Sequence, residues 1–445
     1  MKAKVGKLFF FLFAWALMIT VPHFQQESSV PNSLFCLLLA LISFLLFRSL
    51  LEVELSPRII SLTLLAIPSV YLVALSFFYH GSDFLYHYWS RFGAGSMVLG
   101  SSMLPFGDLA QLVFAADCKL PPVIGENICD PWERPLNQNP FVIELFRFIK
   151  FSNLPLVGVA STLLFFFVTY LFNRNHKMTN FTVPLLLVSP VAILAVERGN
   201  ELITLALILI GFLLLEQRSL TVEWLGALFL GSAAIFKLWP VIIVVLLLVL
   251  TTRYLHAITR LLLALPVIYW ILNYSVAKIA VQSTQLGSPL GVSFGAKLFL
   301  DVRIPLLLQF SYFALFLLSS FFLIRYFHRD KSIALKICNS RLEAVILISV
   351  FFTYFCVWLV GQSFMYRLIL LLPALLVLAR PHNWNYVSSR FLVSLLLLVS
   401  FSAKLQVSIV LTSALACTCL YLTIVLTRVY SGIEFNREHL QSKIK

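Results

Sequence analysis

ERGNELITLALILIGFLLLEQRS, residues 197–219, opens on Glu197, Arg198 and Asn200, runs almost wholly apolar to Leu215, and closes on a second charged cluster. An apolar run bounded by charge at both ends reads as a membrane-crossing helix, because a straight crossing needs roughly 20 apolar residues. The rest of the chain repeats the pattern. With 60% hydrophobic and only 12% charged residues over 445 positions, the composition lies far outside the soluble range. The expected fold class is therefore all-α, a polytopic integral membrane protein of about 12–14 transmembrane helices.

Candidate spans cover 8–22, 33–47, 59–79, 154–172, 181–196, 202–215, 223–236, 240–252, 261–281, 305–324, 343–361, 367–379, 391–403 and 407–427. They form a single transmembrane domain over 1–445, interrupted by one large loop at 80–150. The first run follows Lys2, Lys4 and Lys7 like a signal peptide. No small-residue cleavage site follows it, so a retained helix is expected.

Orientation follows from basic residues in short loops, which favour the cytoplasmic side. With the N-terminus inside, most of the 33 Lys and Arg fall on that side, several of the remainder lying in the long loop, which the rule discounts. N-in and C-in is thus the expected topology. The net charge of +14 then reads as a topology signal and contact with anionic membrane lipid, not as a nucleic-acid surface. Absence of Asn-x-Ser/Thr from the loop fits a bacterial inner membrane better than a secretory one.

In this topology one extracytoplasmic face collects loop 80–150, the ERGN motif, Lys237 of FKLWP and Arg367 of GQSFMYR. Within the loop, GSDFLYHYWSRFG sets Asp83 just beyond a span, followed by Tyr86 and His87. Ser82 and Asp83 suit a helix start, so a capping role competes with a chemical one. Downstream, NPFVIELFRFIKF offers Asn139 as cap and Pro140 at the first helical position. Glu144, Arg147 and Lys150 then recur on one face, which predicts an interfacial helix. Cys118 and Cys129 bracket CKLPPVIGENIC, a candidate disulfide if that face is oxidising. The cysteines of the apolar spans, Cys36, Cys356, Cys417 and Cys419, read as packing residues.

An arginine at a helix end often only anchors the helix. Three mouths on one face, however, each present a cation, Arg198, Lys237 and Arg367. Converging cations suit a phosphate, which a guanidinium grips bidentately.

ERGNELITLALILIGFLLL followed by LGALFLGSAAIFKLWPVIIV resembles the central signature of glycosyltransferase family 87, in the polytopic C-type glycosyltransferase superfamily. GSDFLYHY resembles the superfamily's acid-bearing segment, DPWERPLNQNP the second half of the same loop, and GQSFMYRLILLLPAL a late helix of related bacterial sequences. Two further N-terminal helices, and NQNP in place of an aromatic before the proline, depart from the pattern. The resemblance implies transfer of a sugar from a polyprenyl-phosphate donor to a lipid or glycan acceptor on the outer face. It implies a catalytic carboxylate at Asp83, with Asp108 and Glu197 as competitors, because an acceptor hydroxyl needs a positioned base. Arg198, Lys237 and Arg367 would hold the donor phosphate. Glu197, Asn200, Tyr86, His87 and Asp108 are candidates for sugar or acceptor contacts.

No metal-ligand spacing is visible, so no cofactor or structural metal is expected, and a loosely bound divalent cation is left open. Two rival classes remain. A polymerase or ligase would take a diphosphate-linked glycan. A flippase would bury ionisable groups at mid-membrane, where Lys278 and Lys404 are the nearest candidates.

Overall fold

In lipid every backbone N–H and C=O has to be satisfied inside its own segment, which leaves the helix as the spanning element for apolar runs of this kind. The computed structural model describes residues 56–79, 106–118, 139–148, 154–217, 219–251, 255–282, 293–294, 306–329, 341–360, 363–401 and 408–444. In chain order these form α1 (Pro57–Tyr79), α2 (Gly107–Asp117), α3 (Pro140–Phe146), α4 (Leu154–His176), α5 (Thr182–Leu187), α6 (Pro190–Arg198), α7 (Asn200–Leu215) and α8 (Leu220–Phe236). There follow α9 (Pro240–Leu250), α10 (Ala257–Leu272), α11 (Tyr274–Gln282), β1 (Ser293–Phe294), α12 (Leu306–Arg329), α13 (Arg341–Val360) and β2 (Ser363–Phe364). A 3-10 helix (Met365–Leu371), α14 (Leu372–Leu378), α15 (Pro381–Trp384), α16 (Val387–Phe401) and α17 (Ser408–Ile444) complete the order.

The protein is an all-α membrane protein. Four stretches among the described residues are long and apolar enough to cross a bilayer, in α4, α12, α13 and α17. Shorter apolar helices, α7 to α10 among them, fill the space between. The only strands among the described residues are β1 and β2, paired antiparallel with Ser293 opposite Phe364.

Several expected spans are broken or shifted. The run 181–196 is two helices, because Ser189 caps a new start by accepting from Ala192 N–H (3.3 Å) and Pro190 takes its first position. The run 261–281 breaks at Asn273, between α10 and α11. The run 367–379 is a 3-10 helix for its first half. The helix expected from 223 begins at Leu220 and takes in Glu223, whose buried carboxylate accepts from His256 N–H at 2.9 Å. α17 continues well past 427. The interfacial helix is also shorter than its charge spacing implied. α3 stops at Phe146 and buries Val142, Ile143 and Phe146, while Arg147 is its C-cap and pairs with Glu144 at 2.8 Å in solvent. It is therefore packed on the protein along one face, its other face exposing Phe141 and Leu145.

α7 lies at the centre, between α4 and α8. Gly211 and Gly226 let α7 and α8 touch backbone to backbone: a Cβ on Gly211 would sit 2.5 Å from Leu230 Cγ and 3.0 Å from the Gly226 oxygen. Small residues at such crossings are how membrane helices gain packing when lipid supplies no hydrophobic drive. α17 packs on α12 and α13, and α9 joins α13 to α10. α12 keeps Leu306, Leu307, Phe310, Phe321 and Phe322 exposed, as a lipid-facing helix should.

Buried ion pairs mark the two ends of α7. α7 carries Glu201 at its start and Glu216 just past its finish, and the segment 365–380 runs parallel to it, with Arg367 beside Glu201 and Arg380 beside Glu216.

Candidate functional site at the Glu201 end

Glu201 occupies the first turn of α7 and is 1% exposed. A helix N-terminus favours a carboxylate, but burial demands partners as well. They come from two other helix mouths. The Trp239 indole N–H donates to Glu201 Oε2 at 3.1 Å, and Arg367 Nε lies 3.8 Å from Oε1, an ion-pair distance rather than a hydrogen bond. Trp239 heads α9 at Pro240, and Arg367 sits in the 3-10 helix.

Of the cations singled out in the sequence, Arg367 pairs with this carboxylate, and Arg198 and Lys237 lie close to its partners in the chain. Arg198 ends α6 and is 3% exposed; α6 packs along the 3-10 helix that carries Arg367. Gly199, with φ of 73°, alone separates α6 from α7, so Arg198 and Glu201 flank one left-handed residue. Lys237 is the half-buried C-cap of α8, two residues before Trp239. The far end of loop 80–150 joins them. Asn139 caps α3 by accepting from Phe141 N–H (3.0 Å), as expected. Its Nδ2 also donates to Ile235 O (2.7 Å), and Tyr269 donates to its Oδ1 (2.6 Å). One asparagine thus pins the loop to α8 and α10.

Other expected positions are less fully defined. Asp83, Tyr86, His87, Cys129 and Lys150 lie outside the described residues. Asp108 is in the first turn of α2, Glu197 in the last turn of α6 and Asn200 at the start of α7, their side chains undescribed. Cys118 is disulfide-bonded, its partner lying outside the described residues. Cys356, Cys417 and Cys419 are free, Cys419 fully buried. Among the described residues no cluster of His, Cys, Asp and Glu is arranged for a metal.

Glu201, Trp239, Asn139 and Tyr269 were not weighed as site residues from sequence. For Glu201 a signal existed: an acid inside an apolar run, three positions from an arginine across a glycine.

The opposite end holds a buried network. Arg380 donates from Nη1 to Glu343 Oε1 (2.6 Å) and from Nη2 to Glu216 Oε1, with its guanidinium 5.4 Å above the Phe172 ring. His176 Nε2 meets Glu216 Oε2 at 2.9 Å, and His382 Nε2 meets Glu343 Oε2 at 3.2 Å. Arg380 Nη2 also comes within 3.0 Å of His176 Nε2; as both are donors toward Glu216, they share its carboxylate. The network ties α4, α7, α13 and α15 together.

Burial by itself would raise the Glu216 carboxyl, but the His176 hydrogen bond and the Arg380 charge outweigh it and hold the group below its ordinary 4.5. A carboxylate with a depressed folded value contributes stability that is present above the unfolded value and lost as pH falls through the folded one. Melting curves in detergent are expected to show an acid limb below about pH 4.5 that is shallower in Glu216→Gln than in wild type. Equal limbs in the two proteins would remove Glu216 as a contributor.

No family model, curated protein or solved structure matches the chain.

Proposed function

We propose that the protein is a membrane glycosyltransferase that moves a sugar from a polyprenyl-phosphate donor to a lipid or glycan acceptor at the extracytoplasmic face. The observation that carries this reading is the buried Glu201 paired with Arg367 and Trp239, with Arg198 three residues before it in the chain and Lys237 two residues before Trp239, at the end to which Asn139 fastens the outer loop. Arg198, Lys237 and Arg367 at the helix mouths of that end would suit a phosphate leaving group whose charge grows during transfer.

The chemistry then divides by residue. Asp83, early in the same loop, takes the proton from the acceptor hydroxyl. The hydroxyl attacks the anomeric carbon from the side away from the phosphate, the carbon–oxygen bond to the phosphate breaks, and the anomeric configuration inverts. Arg198, Arg367 and Lys237 receive the departing phosphate, and Glu201 orients Arg367. N-in topology sets this end outside the cell.

Purified protein in nanodiscs, supplied with polyprenyl-phosphate monosaccharides and a lipid extract, tests the reading. Wild type is expected to transfer sugar, and Asp83→Asn to fall about a hundredfold while remaining folded. Turnover only of a diphosphate-linked glycan would move the protein to the polymerase class. No donor consumption at all would overturn the reading.

A further inference from the structure

Phe106, immediately before α2, adopts φ 65° and ψ 42° and is 1% exposed. A bulky side chain at positive φ is an outlier, and such a conformation persists only where the surroundings over-determine it. Here the surroundings are two glycines. A Cβ on Gly158 of α4 would lie 2.1 Å from Phe106 Cδ2 and 2.2 Å from Cε2, so the ring fills the space that any other residue there would need. A Cβ on Gly199 would lie 3.0 Å from Phe106 Cδ1 and 3.1 Å from its Cβ. The phenyl ring therefore stands between α4 and the single-residue joint of α6 and α7. Its carbonyl meanwhile starts α2 by accepting from Ala110 N–H at 2.8 Å.

We infer that Phe106 is a positioning residue: its ring wedges the outer loop against the Gly199 turn and thereby sets Arg198 and Glu201 relative to one another. Its role in transfer rests on the reading of this end as the donor site; the wedge itself does not. Only one residue connects α6 to α7, so the angle between them is decided by the Gly199 backbone and by what presses on it. Phe106 and Leu109, both of the loop, are what press. A shift of α2 consequently moves the α6–α7 joint, which couples the segment bearing Asp108 to the cations that meet the phosphate. α2 packs on both α4 and α6, as that coupling requires.

The test pairs a geometric readout with a kinetic one. Phe106→Leu keeps an apolar side chain but lacks the ring; Phe106→Met serves if the leucine variant does not fold. Hydrogen exchange in nanodiscs is expected to quicken at residues 195–203 and to stay as in wild type around Glu216. With a polyprenyl-phosphate sugar donor, kcat is expected to fall about tenfold with little change in KM, as for a misplaced group that acts in the transition state. Phe106→Tyr, which keeps the ring, should restore kcat. Unchanged exchange at 195–203 would overturn the wedge whatever the activity. Faster exchange with an unaltered kcat would reduce Phe106 to a packing residue. Faster exchange in a protein whose wild type consumes no donor would uphold the wedge and sink the proposed function.

Discussion

Arg380→Met, with Glu216 and Glu343 left in place, is expected to destabilise the folded protein by about 3–5 kcal/mol, the usual cost of stranding a buried charge. Methionine fills much of the arginine's volume, so the loss is electrostatic more than steric. In wild type, one guanidinium serves Glu343 at 2.6 Å and Glu216 on its other nitrogen, over the face of Phe172. Arg380 is 5% exposed and Glu343 3% exposed. Removing the cation takes from the two carboxylates the guanidinium they share, leaving His176 beside Glu216 and His382 beside Glu343. The penalty arises from the unpaired charges and not from the pair's intrinsic worth, so Arg380→Met combined with Glu216→Gln and Glu343→Gln should regain most of the loss. Arg380→Lys should recover little, since an ammonium cannot present two forks in one plane. Unfolding by SDS titration in mixed micelles measures all three. A single Arg380→Met variant within about 1 kcal/mol of wild type would mean that the network is more solvated than its burial indicates.

This network shows where sequence reading stops. The helices themselves were legible, because composition and length alone mark apolar runs, and α1, α4, α12 and α13 begin within about two residues of the expected spans. The break at Ser189–Pro190 was legible too, in a cap residue followed by proline, but the surrounding apolar run masked it. Nothing in LILLLP distinguishes the 3-10 turn at Met365–Leu371 from an α-helix. His176, Glu216, Glu343 and Arg380 were invisible as a group, being scattered over two hundred positions of chain and counted only as charges at helix ends. At the other end the cations are legible in the sequence and the carboxylate is less so. Glu197 and Arg198 stand out at the start of an apolar run, whereas Glu201 lies one turn inside it. The left-handed Gly199 changes the chain direction there, so the burial of Glu201 depends on a backbone angle that residue types do not reveal.

Arg367→Ala is expected to lower sugar transfer by about 10²–10³, the range found when one group that stabilises developing charge is removed. The same substitution also strands Glu201, 1% exposed and held otherwise, among the described residues, by the Trp239 indole at 3.1 Å. Loss of activity by itself would thus be ambiguous, since a damaged fold gives the same result. Arg367→Leu combined with Glu201→Gln separates the two. The amide still accepts from the Trp239 indole, and neither member of the Arg367–Glu201 pair is left as an uncompensated charge, so stability should return to within about 1 kcal/mol of wild type. Transfer should not return, because the cation proposed to meet the phosphate is still missing. Glu201→Gln alone keeps the cation but frees its orientation, and a smaller fall in kcat is expected. If the double variant regains transfer along with stability, Arg367 is only a structural partner of Glu201, and phosphate stabilisation passes to Arg198 and Lys237.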